Sequence, residues 1–114
     1  MPIYIDKFHD EACILPIFLD SIGFALPNLA ALAEISVGGA TQTGAHGSGL
    51  TLASLATQIR SMQLVLANGT VAEFGSDSEA LKALSVGLGA FGVITQLELD
   101  LVPAYNVTVY GFAR

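Results

Sequence analysis

From Val93 to Val102 apolar and polar positions alternate, with Leu97, Leu99 and Leu101 in one phase and Gln96, Glu98 and Asp100 in the other. Successive side chains of a strand point to opposite faces, so this segment predicts a strand with one buried and one wet face. Pro103 stops it, and Tyr105 to Phe112 reads as a final strand at a sheet edge. Upstream, Met62 to Ala67 and Thr70 to Phe74 flank Asn68-Gly69, a dipeptide suited to the two positive φ values of a type I′ hairpin turn. Helical spacing rules elsewhere. Leu15, Leu19 and Ile22 share a face, Pro16 suits a first helical turn, and Gly23 supplies the stop. Ser76 with Glu79 three residues on has the form of a capping box, ahead of Leu81, Leu84 and Leu88 on one face of a helix running to about Leu88. Phe24 to Asn28 is expected to be an extended exit, residues 29–34 a short helical turn, and Leu52 to Ile59 a short helix or turn. Met1 to Asp10 is short and mixed and supports no assignment. The sum is an α+β fold, its sheet mostly antiparallel with flanking helices.

One stretch follows neither period. Residues 35–50, ISVGGATQTGAHGSGL, are mostly Gly, Ser, Thr and Ala, and between Ile35 and Ile59 there is no formally charged side chain. Each interior Gly weakens a helix by about 1 kcal/mol relative to Ala, so the run predicts a loop.

Composition changes what this fold is part of. Of 114 residues, 53% are apolar and 12% charged, about half the usual charged share. A small domain has proportionally more surface to cover with polar groups. Apolar surface is therefore expected to be left over for another domain, another subunit or a ligand; a soluble domain with a greasy core is the alternative. The net charge is −6, and the cations Lys7, Arg60, Lys82 and Arg114 are scattered, which argues against a nucleic-acid partner. Cys13 is alone, which excludes an internal disulfide and fits a reducing, cytoplasmic setting. The apolar stretch Ala12 to Leu19 follows Asp10 and Glu11. It lacks both the length of a transmembrane segment and the cationic start of a signal peptide. Without such a signal, the sequons at Asn68 and Asn106 read as chance.

Two glycine clusters invite a nucleotide reading. Gly87, Gly89 and Gly92 match G-x-G-x-x-G, but the dinucleotide fold needs a strand before that motif and a helix after it. Here a helix precedes and a strand follows, so that reading fails. Gly39 to His46 approaches a P-loop, yet Ala45 and His46 stand where Lys and Ser/Thr are required. What remains is an anion site made of main-chain N–H groups, helped by Thr41, Thr43, Ser48 and Thr51, with no cation in it. A buried loop packed tightly by small residues is the competing explanation.

Ala25-Leu26-Pro27-Asn28-Leu29, Ile35-Ser36-Val37-Gly38-Gly39-Ala40, Thr43-Gly44-Ala45-His46-Gly47-Ser48-Gly49 and Gly89-Ala90-Phe91-Gly92-Val93-Ile94-Thr95 occur in that order. Together they resemble the FAD-binding (PCMH-type) domain of the vanillyl-alcohol-oxidase flavoproteins, within them the sugar-lactone and alditol oxidases. The resemblance covers roughly Ala12 to Tyr105. It implies the second half of a PCMH-type domain, with FAD as cofactor. The loop Gly38, Gly39, Ala40, Thr43, Gly44, Ala45, His46, Gly47 and Ser48 would wrap the pyrophosphate and pass beside the flavin ring. Ala53 and Ser54 would lie against the cofactor, and Gly92, Val93 and Ile94 would meet the adenine end through main chain. A Cβ at Gly44 or Gly47 would then obstruct the flavin.

The resemblance also implies a reaction: a hydride passes from a carbinol carbon of a sugar lactone or polyol to flavin N5, with oxygen as acceptor. The acid/base residues belong to the substrate domain, so no catalytic residue is expected in this chain. The histidine that links flavin covalently in related proteins sits in an upstream loop of the type Arg-Ser-x-His-Ser, which is absent here. His46 is accordingly expected to hold its loop by hydrogen bonding, and His9 to be a solvated residue. Residues 1–114 thus read as a partial FAD-binding domain lacking its N-terminal half and the substrate domain. The alternative is a non-catalytic remnant or binding module that needs a partner chain, or binds no flavin.

Overall fold

The computed structural model describes residues 2–5, 14–30, 32, 34–108 and 110–111. His9 and Cys13, and the readings attached to them, lie outside these residues. In chain order the elements are β1 (Pro2–Ile5), α1 (Ile14–Ser21), β2 (Phe24–Ala25), α2 (Val37–Gln42), a 3₁₀ turn (Leu55–Gln58), β3 (Ile59–Val65), β4 (Val71–Gly75), α3 (Glu79–Leu84), β5 (Val93–Asp100) and β6 (Val102–Pro103). The main sheet has the order β1-β5-β3-β4 and every pairing is antiparallel. A second ribbon joins β2 to β6, extended by the Ala104 N–H donating to the Gly23 carbonyl at 3.0 Å. The fold is α+β, as its periodicities predict.

The alternating segment is an interior strand. β5 pairs with β1 on one side and β3 on the other, and Leu97 and Leu99 are fully buried. In β3, Ile59 and Met62 are both buried although three residues apart, which a regular strand forbids. A register irregularity against β5 between Ile59 and Ser61 resets the phase. On the outer side, Arg60 Nη1 lies 3.2 Å from Asp100 and Ser61 donates to Glu98 at 2.8 Å. Leu19, Leu26, Val37, Ala40, Leu55, Leu81 and Leu84 close the core from helices and loops. Among the described residues no helix is long and apolar enough to cross a membrane.

Several local expectations are corrected. The helix opened by Pro16 begins two residues earlier, at Ile14. None of the described residues in 29–34 is helical. The Asn68-Gly69 hairpin forms, but only Gly69 takes positive φ (+82°), so the turn is not type I′. It closes through Gly69 N–H to the Leu66 carbonyl and Leu66 N–H to the Thr70 carbonyl, at 2.9 and 2.8 Å. That is a three-residue connection with glycine in the left-handed position. Gly69→Ala is therefore expected to cost about 1 kcal/mol in urea denaturation, since its Cβ meets nothing and only φ is strained. Ser76 makes no capping box; Ser78 is the N-cap residue, and α3 ends at Leu84, leaving Leu88 exposed at φ +54°. Described residues between 105 and 111 form no strand; instead the Tyr105 hydroxyl donates to the Leu26 and Pro27 carbonyls, each at 3.2 Å.

Candidate functional site

The glycine-dense run divides into a helix and a loop, which corrects the expectation of a loop throughout. α2 survives Gly38 and Gly39 because both of its ends are satisfied. Ser36 Oγ accepts the Gly39 N–H at 3.1 Å. At the other end Gly44 (φ +66°) gives its N–H to Thr41 O at 3.1 Å, and Ala45 gives its N–H to Ala40 O at 2.8 Å. Those paired bonds form a Schellman motif with glycine at its left-handed position. Val37, Ala40 and Thr41 are buried on the inner face. Thr41 is wholly buried and its hydroxyl donates to the Val37 and Gly38 carbonyls at 3.0 Å, so it has no surface for a ligand. Ala40 likewise lies in the core with its N–H and carbonyl both engaged, which leaves the expected cofactor contact there without a surface. The Thr43 hydroxyl donates to Gly39 O at 2.8 Å.

Beyond the helix the bonding pattern changes. From His46 to Thr51 no main-chain N–H meets an acceptor among the described residues, and Ser48, Gly49, Leu50 and Thr51 are exposed. The loop is nevertheless anchored at both ends. Leu55 N–H donates to Ala45 O at 2.9 Å, and Asn28 Nδ2 donates to Ala53 O at 2.8 Å. Gly47 packs so closely on Asn28 that a Cβ there would collide with Asn28 Oδ1 and the Leu29 carbonyl. His46 Nδ1 lies 2.9 Å from Gly47 O, the carbonyl of the next residue, with the ring exposed. Consecutive unpaired N–H groups on an anchored, charge-free loop can receive an anion without a cation. The donors differ from those the glycine pattern first suggests: the N–H groups of Gly39, Thr43, Gly44 and Ala45 are taken by the helix and its caps, and those from His46 onward are open.

Gly92, Val93 and Ile94 stand on another element. α3 precedes Gly87 to Gly92 and β5 follows, the order that excludes the dinucleotide fold. Gly92 (φ +155°) passes so near β3 that a Cβ would lie 2.5 Å from Val65 O. Val93 is exposed, and Ile94 packs against the core. Gln42 spans from α2 to this region. Its Nε2 donates to Leu84 O at 3.0 Å and Ser85 O at 3.5 Å, and its Oε1 accepts the Gly89 N–H at 3.4 Å. Gln42 and Asn28 are the residues sequence reasoning passed over as site builders. The signal was faint: each is an amide among small or apolar neighbours, with no charge to draw notice. Ser54 also borders a cavity of about 370 Å³ between the 3₁₀ turn and α3, with Ser78, Lys82 and Val86 among its lining. No cluster of three His, Cys, Asp or Glu suited to a metal occurs among the described residues.

Comparison with known proteins gives the family and the fold. Residues 15–75 match the model of the FAD binding domain family. The chain is 45% identical over 92 residues to an alditol oxidase of Streptomyces sp., covering 81% of this chain and 22% of that protein. It is 38% identical over 91 residues to the L-gulonolactone oxidase of Bos taurus, covering 78% and 21%. A histidine-to-alanine variant of cholesterol oxidase from Brevibacterium sterolicum shares the fold, with a TM-score of 0.80 and 20% identity, over 90% of this chain and 21% of that one. The chain therefore spans about a fifth of the length of these relatives.

Proposed function

Since the chain belongs to the FAD-binding domain family, we propose that it holds the cofactor of an oxidoreductase acting on a CH–OH group of a sugar lactone or polyol, with oxygen as acceptor. The observation that carries this reading is the open run of N–H groups from His46 to Thr51. FAD brings two negative phosphates, and a run of free dipoles on an uncharged loop suits them. The residues fit the group. Gly47 and Ser48, with the Ser48 hydroxyl, would hold the pyrophosphate; Gly44, Ala45 and His46 would shape the loop beside the ring; Ala53 and Ser54 would back it. Gly92, Val93 and Ile94 would present main chain to the adenine end. When bound, FAD supplies the redox chemistry by accepting a hydride from the carbinol carbon. This chain binds and orients, and none of its residues is assigned a proton transfer. A cytoplasmic setting belongs to the same reading, on the strength of the lone Cys13.

Titration of FAD with the chain is expected to quench flavin fluorescence and to carry yellow colour through gel filtration. A second reading rests on a separate observation: Leu50 is fully exposed, and Leu88 and Val93 are 73% and 70% exposed. Large apolar residues so placed suit a binding module covered by a partner chain. A folded chain that stays colourless and quenches nothing would favour that reading over the first.

A further inference from the structure

We infer that Gln42 is a positioning residue that sets the spacing between the two halves of the FAD site. The inference rests on the reading above, in which the loop after α2 meets the flavin and pyrophosphate and the start of β5 meets the adenine end. Gln42 is the last residue of α2, and the loop hangs from the Schellman turn that follows it. Its side chain crosses to the segment that leads into β5. The bond to Leu84 O, at 3.0 Å, is the strong arm, and those to Ser85 O (3.5 Å) and Gly89 N–H (3.4 Å) are longer. The amide is satisfied in one orientation only, because two carbonyls require its NH₂ and one N–H requires its oxygen. Gly87 makes the room: a Cβ there would lie 3.1 Å from Leu84 O and 3.3 Å from Gln42 Oε1. Gly89 (φ +73°) then turns the chain toward Gly92. One neutral side chain thus holds the flavin loop and the adenine segment to each other, without placing a charge beside the anion site.

FAD is chemically FMN joined to AMP, so each fragment reports on one half of the site. Where the halves are held at the right separation, binding of the second end is intramolecular and gains from a high effective concentration. Loosening the separation removes that gain and leaves the fragment affinities in place. Gln42→Ala is expected to raise the Kd of FAD roughly tenfold or more, while the Kd values of FMN and AMP change by less than about twofold. Gln42→Met, which keeps the bulk without the bonds, is expected to behave like Gln42→Ala. It also carries the test should the alanine variant fail to fold, as judged by circular dichroism. A parallel loss for FAD, FMN and AMP would show general destabilisation and overturn the inference. So would wild-type FAD affinity in either variant, or recovery in Gln42→Met alone. Failure of the unaltered chain to bind FAD would instead overturn the underlying reading, and the inference with it.

Discussion

Gly47→Val is expected to abolish FAD retention and to destabilise the chain by about 3 kcal/mol. A Cβ at this position would overlap Asn28 Oδ1 and the Leu29 carbonyl. Neither neighbour can yield cheaply. Asn28 is buried and fixed by its bond to Ala53 O, and the Leu29 oxygen is main chain. The loop would have to lift from its anchor, taking with it the N–H groups that the cradle offers. Gly44→Val is expected to be milder, although the sequence pattern treats the two glycines alike. A Cβ at Gly44 meets only Val86, at 3.6 and 3.8 Å, so the main cost is the strain of φ +66°, at least about 1–2 kcal/mol and more for a β-branched side chain. Flavin absorbance of the purified variants, in this chain and at the matching position of a complete relative, checks both. Normal flavin content in Gly47→Val would sink the cradle.

Leu97→Ala is expected to lower stability by about 3 kcal/mol, read as a shift of the urea midpoint at unchanged slope. Leu97 is fully buried in the interior strand, with its Cα opposite Ile5 of β1 and Met62 of β3. Truncation leaves a cavity between elements tied by ladder hydrogen bonds, which limits collapse around it. A loss below about 1 kcal/mol would mean that the sheet is not packed as described.

The elements with a clean period were legible in advance. Leu97 and Leu99 specify the buried phase of β5, and Leu15 and Leu19 the inner face of α1, because burial and periodicity are both local properties of the chain. What was not legible depends on partners far away in sequence. α2 is not legible because its glycines speak against helix, whereas its stability comes from two caps and from contacts of Val37 and Ala40 with the core. β1 is not legible because its four residues become a strand only by pairing with β5. Leu88 had helical spacing, yet α3 stops one turn short of it and the chain reverses through two left-handed residues. At the candidate site the glycine-dense run stands out in the sequence, but its open donors do not. Which N–H groups are spent on a helix cap and which are left over is decided only when the cap forms.

The pairing of Pro2 with Asp100 bears on the order in which the chain assembles. The hairpin of β3 and β4 closes over a few residues, and β5 joins β3 across α3. β1 must wait for β5, across the longest sequence separation of any pair in the sheet. Loop closure loses about 0.6 kcal/mol for each doubling of length, and non-local pairings slow folding. The three-stranded unit β5-β3-β4 is thus expected to form first and β1 to dock last. During synthesis, Pro2–Ile5 must be kept from other strand edges until Val93–Asp100 has been made.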